Sequence, residues 1–191
     1  MNALHRLFAG LAVVALCNLN AFATTPEQAA ADYFAAFRNG DLNAVAASMH
    51  PDELAAFKAT MLPVIEKGMA IKDPRADLMN LRQIAGEDGI DGLRAMTDEA
   101  FFARFMGWLF EQNPMLQTSM AGAEVTPIGH VREGDLAHVV YRMEVDVLGS
   151  RISQVTAISL KSFNDAWRLM LTGEVEGMGR LIEANLDMIA P

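Results

Sequence analysis

The residues of this chain whose side chains suit acid–base or ligand-orienting chemistry are few and lie far apart in the sequence. His50 and Asp52 flank a proline, and Tyr33 and Tyr141 each lie among apolar residues. Burial in an apolar pocket moves the pKa of a histidine or an aspartate into the range of a working acid or base, and a tyrosine offers one hydroxyl at an apolar wall. These four residues are the candidate catalytic set if the chain is an enzyme.

The surroundings of the same residues favour a role without catalysis. His50 stands directly before Pro51, where it has the simpler role of joining two helices. Glu144 and Asp146 alternate with valines along a predicted strand, which puts both carboxylates on the polar face of the sheet. The sequence therefore favours binding of a small apolar ligand or of a protein partner, and an enzyme acting on a hydrophobic small molecule is the alternative.

Two groups of residues invite a metal-binding interpretation, and neither is sufficient. His130 and His138 lie on separate predicted strands without a third ligand, whereas zinc sites use three or four protein ligands. The segment from Gly86 to Gly92 holds three acidic residues between spaced glycines, but it lacks the ligand series of a calcium-binding loop. We therefore expect a mobile acidic loop at residues 86–92 and no metal site. Because the sequence also lacks phosphate-binding and zinc-protease motifs, we expect no cofactor.

The elements that must position these residues fall into a helical part followed by strands. Thr25–Gln28 is a capping box for a first helix, and Gly40 suits its C-terminal end. From Ala123 onward, apolar residues alternate with polar ones, which is typical of strands with one buried face. Further helices are expected at about 41–49, 51–67, 76–84, 97–113 and 174–189, and strands at about 124–132, 136–148, 151–162 and 167–171. This order predicts an α+β fold in which N-terminal helices pack on a curved antiparallel sheet.

Two stretches resemble a known family. Residues 33–45 (YFAAFRNGDLNAV), followed by Met49-His50-Pro51-Asp52, are similar to the opening of NTF2-like (SnoaL-like, cystatin-like α+β) domains. Residues 164–169 (NDAWRL) resemble the turn and the tryptophan-bearing strand that close the same fold. The resemblance covers both ends of residues 24–191 and leaves 68–122 as a helical elaboration of a single domain.

The NTF2-like resemblance implies a curved sheet around a helix, enclosing a conical pocket. Members use this pocket as an enzyme site, as a ligand cavity or as packed core, and the open face of the sheet often forms dimers, so the fold does not settle the function. The chain is also rich in methionine, which adapts to irregular ligands, although core packing explains the same residues and is favoured. The candidate pocket residues are Tyr33, Phe37, Phe105, Tyr141, Met143, Gln154 and Trp167, with Met61, Met96, Met106 and Met170 as further methionines.

Residues 1–23 have the three parts of a secretory signal peptide. Arg6 supplies a basic start, residues 7–16 form an apolar run, and Ala21-Phe22-Ala23 is an A-x-A cleavage site. The run is short for an uncleaved anchor, and a leucine precedes Cys17 where a lipoprotein signal has Gly or Ala. We expect export by a Sec-type signal, a periplasmic or secreted protein, and no stable membrane insertion after cleavage.

Composition narrows the classes of partner. The chain has 24 Asp and Glu against 15 Lys and Arg, a net charge of −9. Removal of residues 1–23 takes away one basic residue and no acidic one, which changes the charge to −10. Because an acidic surface without a basic stripe repels phosphates, a nucleic-acid partner is excluded.

Cys17 is the only cysteine, so the exported domain has no thiol chemistry or disulfide. The sequence also allows a homodimer that forms through the open face of the sheet.

Overall fold

The structure is a computed structural model that describes residues 24–72, 81–147, 150–171 and 174–189. In this part of the chain, eight helices pack on a curved, unclosed antiparallel sheet of four strands, which confirms the predicted α+β class. The helices are α1 Pro26–Arg38, α2 Leu42–Ser48, α3 Pro51–Ala70, α4 Leu81–Ala85, α5 Gly89–Ala95, α6 Asp98–Gln112, α7 Pro114–Ala121 and α8 Glu174–Ile189. The strands are β1 Glu124–Glu133, β2 Leu136–Val147, β3 Ser150–Phe163 and β4 Ala166–Leu169.

The helices begin where short polar side chains accept the unpaired N–H groups of the first turn. The Thr25 hydroxyl accepts from the Gln28 N–H at 3.2 Å, and the Asp41 carboxylate accepts from the Ala44 N–H at 3.0 Å. The Thr97 hydroxyl starts α6 in the same way. Each cap satisfies a donor that the helix itself leaves unpaired.

The segment from Gly68 to Met96 differs from the sequence expectation. Of the predicted helix 76–84, residues 81–84 are helical in α4, and residues 73–80 lie outside the described residues. The predicted acidic loop is mostly the helix α5. Its Leu93 is fully buried, and Arg94 binds both Asp91 and Glu66 of α3. The buried Leu93 and the ion pairs of Arg94 hold this segment in a helix, although its spaced glycines had suggested a mobile loop.

The four strands form a simple meander in the order β1-β2-β3-β4. Two-residue turns at Gly134-Asp135 and at Asn164-Asp165 connect β1 to β2 and β3 to β4. Gly134, Asn164 and Asp165 have positive φ, as such hairpins require. Ala137 and Val139 of β2 are fully buried, as are Leu160 of β3 and, across from it, Leu169 of β4. This inner face packs against the helices, which confirms the predicted alternation.

The aromatic residues of α6 form the centre of the helical layer. Phe102 and Phe105 contact the ring of Phe57 on α3 edge to face, with centroids 5.0 and 5.1 Å apart. Phe101 and Phe105 are completely buried. The rings of α6 therefore pack against α3. None of the described helices is long and apolar enough to cross a membrane.

The strands of the sheet differ in length, and this decides where the sheet is covered. β3 has 14 residues, but β4 has four and pairs only with Leu160–Phe163 of β3. Beyond the end of β4, β2 and the first part of β3 therefore continue as a pair, here called the β2–β3 ribbon, and β1 flanks this pair on the β2 side. The concave space beside this ribbon is an opening in the inner face.

Candidate ligand-binding site

A cavity of about 310 Å³ lies between α1 and the inner face of the β2–β3 ribbon, just beyond the end of β4. α1 and β2 contribute paired aromatic residues, and the ends of α2, α7 and β4 contribute methionines and leucines. Its lining residues are Tyr33, Phe34, Met49, Met120, Tyr141, Met143, Thr156, Ala157, Ile158, Ser159, Leu169, Met170 and Leu171. With Thr156–Ser159 of β3, the site is built from six elements of the chain.

The aromatic wall of the cavity is fixed by contacts between α1 and β2. The rings of Phe34 and Tyr141 lie 4.7 Å apart, and Tyr33 contacts Phe34 edge to face at 5.1 Å. Aromatic pairs at these distances hold one another in defined orientations. Because Met143 follows Tyr141 by two residues on β2, its side chain lies on the same inner face.

The floor of the cavity is fixed by the chain that leaves β4. The His50 N–H donates to the Leu169 carbonyl at 2.8 Å, which ties the start of α3 to the last residue of β4. The Met170 N–H donates to the Ser159 carbonyl at 2.9 Å, and the Leu171 N–H donates to the Glu53 carboxylate at 3.1 Å. The last of these bonds directs the chain from β3 to α3, and Thr156 and Ile158 face the open space beside it.

The chemistry of the lining is apolar with a few hydroxyl groups. Four methionines, two leucines, one isoleucine and one phenylalanine supply most of the wall, and two tyrosines and one threonine supply hydroxyls. None of the lining residues is Asp, Glu, His, Lys or Arg. Such a surface holds an apolar molecule and can orient it through a small number of hydrogen bonds.

Three of the seven predicted pocket residues meet in this cavity, namely Tyr33, Tyr141 and Met143. The other four lie elsewhere. Phe37 packs against Phe110, and Phe105 is in the helical core. Gln154 lies in the exposed part of β3, and Trp167 stacks on the Arg132 guanidinium at 5.1 Å.

His50 and Asp52 lie beside the cavity but do not line it. His50 is 3% exposed, and its Nδ1 accepts the Asp52 N–H at 3.3 Å, so the ring caps α3. The ring also meets Phe163 edge to face with centroids 5.3 Å apart. The Asp52 carboxylate is exposed to solvent. This geometry agrees with the role of joining two helices that the sequence favoured.

The two strand histidines lie on opposite faces of the sheet. A bulge between Pro127 and Gly129 shifts the register of β1, so His130 shares the inner face with Val139. His138 pairs with Ser159 on the outer face, and its Nδ1 lies 2.9 Å from the Ser159 hydroxyl. Among the described residues no three His, Cys, Asp or Glu side chains come together as a metal site.

His130 instead links the sheet to the first turn of α1. Its Nδ1 lies 2.5 Å from the Glu27 carboxylate. The hydrogen bond with His130, together with the backbone N–H at the helix start, lowers the pKa of Glu27. At the far end of the ribbon the Arg151 guanidinium binds Glu124 and Glu144, and its hydrogen bond lowers the pKa of Glu144.

Several lining residues were not found from the sequence. Phe34, Met49 and Met120 belong to three different helices, and nothing in their spacing shows that these helices meet. Thr156 and Ile158 could have been predicted from the sequence, because alternation along β3 places both on the same face as the buried Leu160. Of the other predicted methionines, Met170 lines the cavity, Met61 is buried in the core, and Met106 packs against that core.

A second concavity of about 410 Å³ lies between α2, α4 and α6. It is a shallow, open groove, and the polar groups at its rim already bind one another. The Gln83 amide donates to Glu111 at 2.8 Å, and Arg104 donates to the carbonyls of Gln83 and Ile84. Because these partners are taken, the more enclosed cavity at the sheet is the better ligand site.

Comparison with known proteins adds no assignment. Neither the protein-family models nor the curated proteins contain a match to this sequence. The α+β arrangement, with a four-stranded antiparallel sheet packed against helices, is compatible with an NTF2-like fold.

Proposed function

We propose that this protein is an exported NTF2-like domain that binds a small apolar molecule in the cavity beside the β2–β3 ribbon and does not transform it. The observation that carries the proposal is the lining, which is apolar and has hydroxyls but no carboxylate, imidazole or amine. Acid–base catalysis needs a group that exchanges protons near the working pH. A lining of this composition therefore supports binding over catalysis.

The volume of the cavity limits the ligand. About 310 Å³ lies at the lower end of the range of small-molecule sites, which is roughly 300–1,000 Å³. A compact aromatic or branched aliphatic molecule with one polar group fits this space. The polar group would meet the hydroxyls of Tyr33, Tyr141 or Thr156. The sulfur atoms of Met49, Met120, Met143 and Met170 suit ligands of variable shape, because methionine has several rotamers and a polarisable sulfur.

The test uses a substitution that fills the cavity and the same substitution on the opposite face of the sheet. Thr156→Trp places an indole in the cavity, whereas Thr126→Trp places it on the exposed outer face of β1. The probe is the neutral fluorophore N-phenyl-1-naphthylamine, titrated into each folded protein. We expect saturable binding to the parent protein and to T126W, and at least about tenfold weaker binding to T156W.

Native mass spectrometry of the exported protein, purified without added ligand, complements the titration. A retained small molecule that T126W keeps and T156W loses would identify the natural ligand directly. The proposal fails if the parent protein does not bind the fluorophore saturably, or if both tryptophan variants lose binding equally. If the recovered molecule is instead chemically altered during incubation, the enzymatic alternative replaces the proposal.

A second candidate function, binding of a partner through the outer face of the sheet, has its own observation. Among the described residues no element covers this face, and Val131 and Val155 on it are 64% and 54% exposed. Exposed valines on an open sheet are common at protein interfaces. Val131→Lys would weaken such an association, which sedimentation velocity measures.

A further inference from the structure

In the described part of the chain, one edge of the sheet has unpaired backbone groups over most of its length. β4 pairs with β3 only from Leu160 to Phe163, and none of the described residues pairs with the earlier part of β3 on that side. The Ser159 carbonyl accepts from Met170 beyond β4, whereas the Ser162 N–H donates to Asp135 on the β2 side. In an antiparallel sheet the direction alternates from residue to residue. The N–H and C=O groups of Ser153, Val155 and Ala157 therefore point to the open edge.

The opposite edge of the sheet has features that prevent pairing, and the β3 edge does not. β1 contains Pro127 and a bulge between Pro127 and Gly129, and charged residues stand near both of its ends. Proline, bulges and charges are the usual means by which an edge strand avoids another strand. β3 has no proline, no bulge against β2 and no charged residue from Ile152 to Leu160. An edge of this kind is a template for strand pairing.

The sequence of β3 is complementary to itself in one antiparallel register. With Val155 opposite the partner's Val155, Ser153 faces the partner's Ala157, and Gln154 faces the partner's Thr156. Ile152 then faces the partner's Ile158. Small residues meet small ones, polar residues meet polar ones, and the branched apolar residues meet each other, which are favourable cross-strand pairs. The backbone groups of Val155 point outward, so this centre is a hydrogen-bonded pair.

Charge also favours a second copy at this edge. The chain carries a net charge of −9, so two copies repel each other over most of their surfaces. Residues 152–160 are neutral, and the adjoining Arg151 is already held by Glu124 and Glu144 of its own sheet. Two copies can therefore approach along β3 without bringing like charges together.

We propose that this protein forms a homodimer in which the β3 edges of two copies pair antiparallel about a two-fold axis at Val155, so that the two sheets become one. The inference rests on the backbone and sequence of β3 and does not require a bound ligand, although Thr156 and Ala157 also border the cavity. A strand pair of this length covers less than the approximately 1,200 Å² that stable interfaces bury. The dimer is accordingly concentration-dependent, and it dissociates at low protein concentration.

The test uses the fact that residue 155 meets its own copy. Val155→Lys and Val155→Glu each place like charges against each other at the axis, and each raises the dimer dissociation constant at least about tenfold. An equimolar mixture of V155K and V155E restores the dimer, because opposite charges then meet. Sedimentation velocity of the exported protein at micromolar concentrations measures all three samples, and circular dichroism checks that the variants are folded.

Val131→Lys is the matched control, because Val131 is an equally exposed valine on the outer face of β1, the strand at the other edge. V131K keeps the dimer if the β3 edges pair and loses it if the outer faces pack. Hydrogen exchange adds a second readout. The amides of Ser153, Val155 and Ala157 are protected in the dimer and exchange fast in V155K. A monomer at every concentration, a dimeric V155K, or a mixture that stays monomeric would overturn the proposal.

Discussion

The inner face of the sheet is packed at one end and open at the other. Where β4 pairs with β3, Ala137 and Leu160 are completely buried, and so is Val139, which follows Ala137 by two residues on β2. Beyond the end of β4, Met143 and Thr156 border a cavity, and Ile152 is exposed to solvent. The same alternation of apolar residues thus produces two different environments. At one end β4 and the helices surround the apolar side chains, and at the other end they do not.

This difference separates stability from binding capacity within one sheet. Residues of the packed end lose water completely and contact many neighbours, so they supply most of the free energy of folding. Residues of the open end already border empty space, so their replacement costs less. A ligand that fills the space regains the contacts they lack. The comparison makes predictions about the size of mutational effects at the two ends.

The largest effect is expected in the packed helical layer. Phe105→Ala removes a completely buried ring that contacts Phe57 and Trp108. We expect the free energy of unfolding to fall by about 3–5 kcal/mol, because a large cavity replaces the ring. Chemical denaturation measures the change. The control is Met115→Ala on α7, which is 77% exposed and should change stability by less than about 0.5 kcal/mol.

A smaller effect is expected at the open end. Met143→Ala removes a partly exposed side chain that borders the existing cavity, so it should cost only about 1 kcal/mol. The same change widens the cavity and alters the affinity for N-phenyl-1-naphthylamine. Arg142→Ala, one residue away on the outer face, should leave that affinity unchanged. If M143A costs as much as F105A, the open end of the sheet is packed as tightly as the helical layer, and the comparison breaks.

His50 stands at the boundary between the two ends, where α3 is tied to β4. His50→Ala removes the acceptor for the Asp52 N–H and a buried ring beside Phe163, and it should destabilise by about 1–3 kcal/mol. His50→Asn keeps an acceptor for that N–H and should lose less. Both variants should bind the fluorophore as the parent protein does. Loss of binding with unchanged stability would show that His50 acts in the site and not in the fold.

Much of this fold could be predicted from the sequence, since helix ends and turns are determined by residues close together in the chain. The caps at Thr25, Asp41 and Thr97 and the turn residues at Asn164-Asp165 act on their immediate neighbours, so their residue types suffice. The site could be predicted only in part. Tyr141 and Met143 follow from strand alternation, but Met120 reaches the cavity only because the helices after α3 fold back to the sheet. Tertiary contacts of this kind leave no periodic signal in the sequence.

The smallest effect is expected at the contact between α1 and β1, at the margin of the packed end. The pKa of Glu27 is lowered by its hydrogen bond to His130, so the folded state favours the charged carboxylate. A lowered pKa contributes stability that is present above the unfolded-state value and is lost as the pH falls through the folded-state value. Since the Glu27 side chain is 31% exposed, solvent screens the ion pair, and Glu27→Gln should cost less than about 1 kcal/mol at neutral pH.

The pH dependence separates this contact from simple loss of packing. The difference in unfolding free energy between the parent protein and E27Q should shrink as the pH falls below the ordinary glutamate pKa of 4.5, because both side chains are then neutral. Urea denaturation of both proteins at several pH values between neutral and acid measures this difference. A difference that stays constant across this range would mean that Glu27 stabilises α1 through its neutral contacts and that the bond to His130 adds nothing to the packed end.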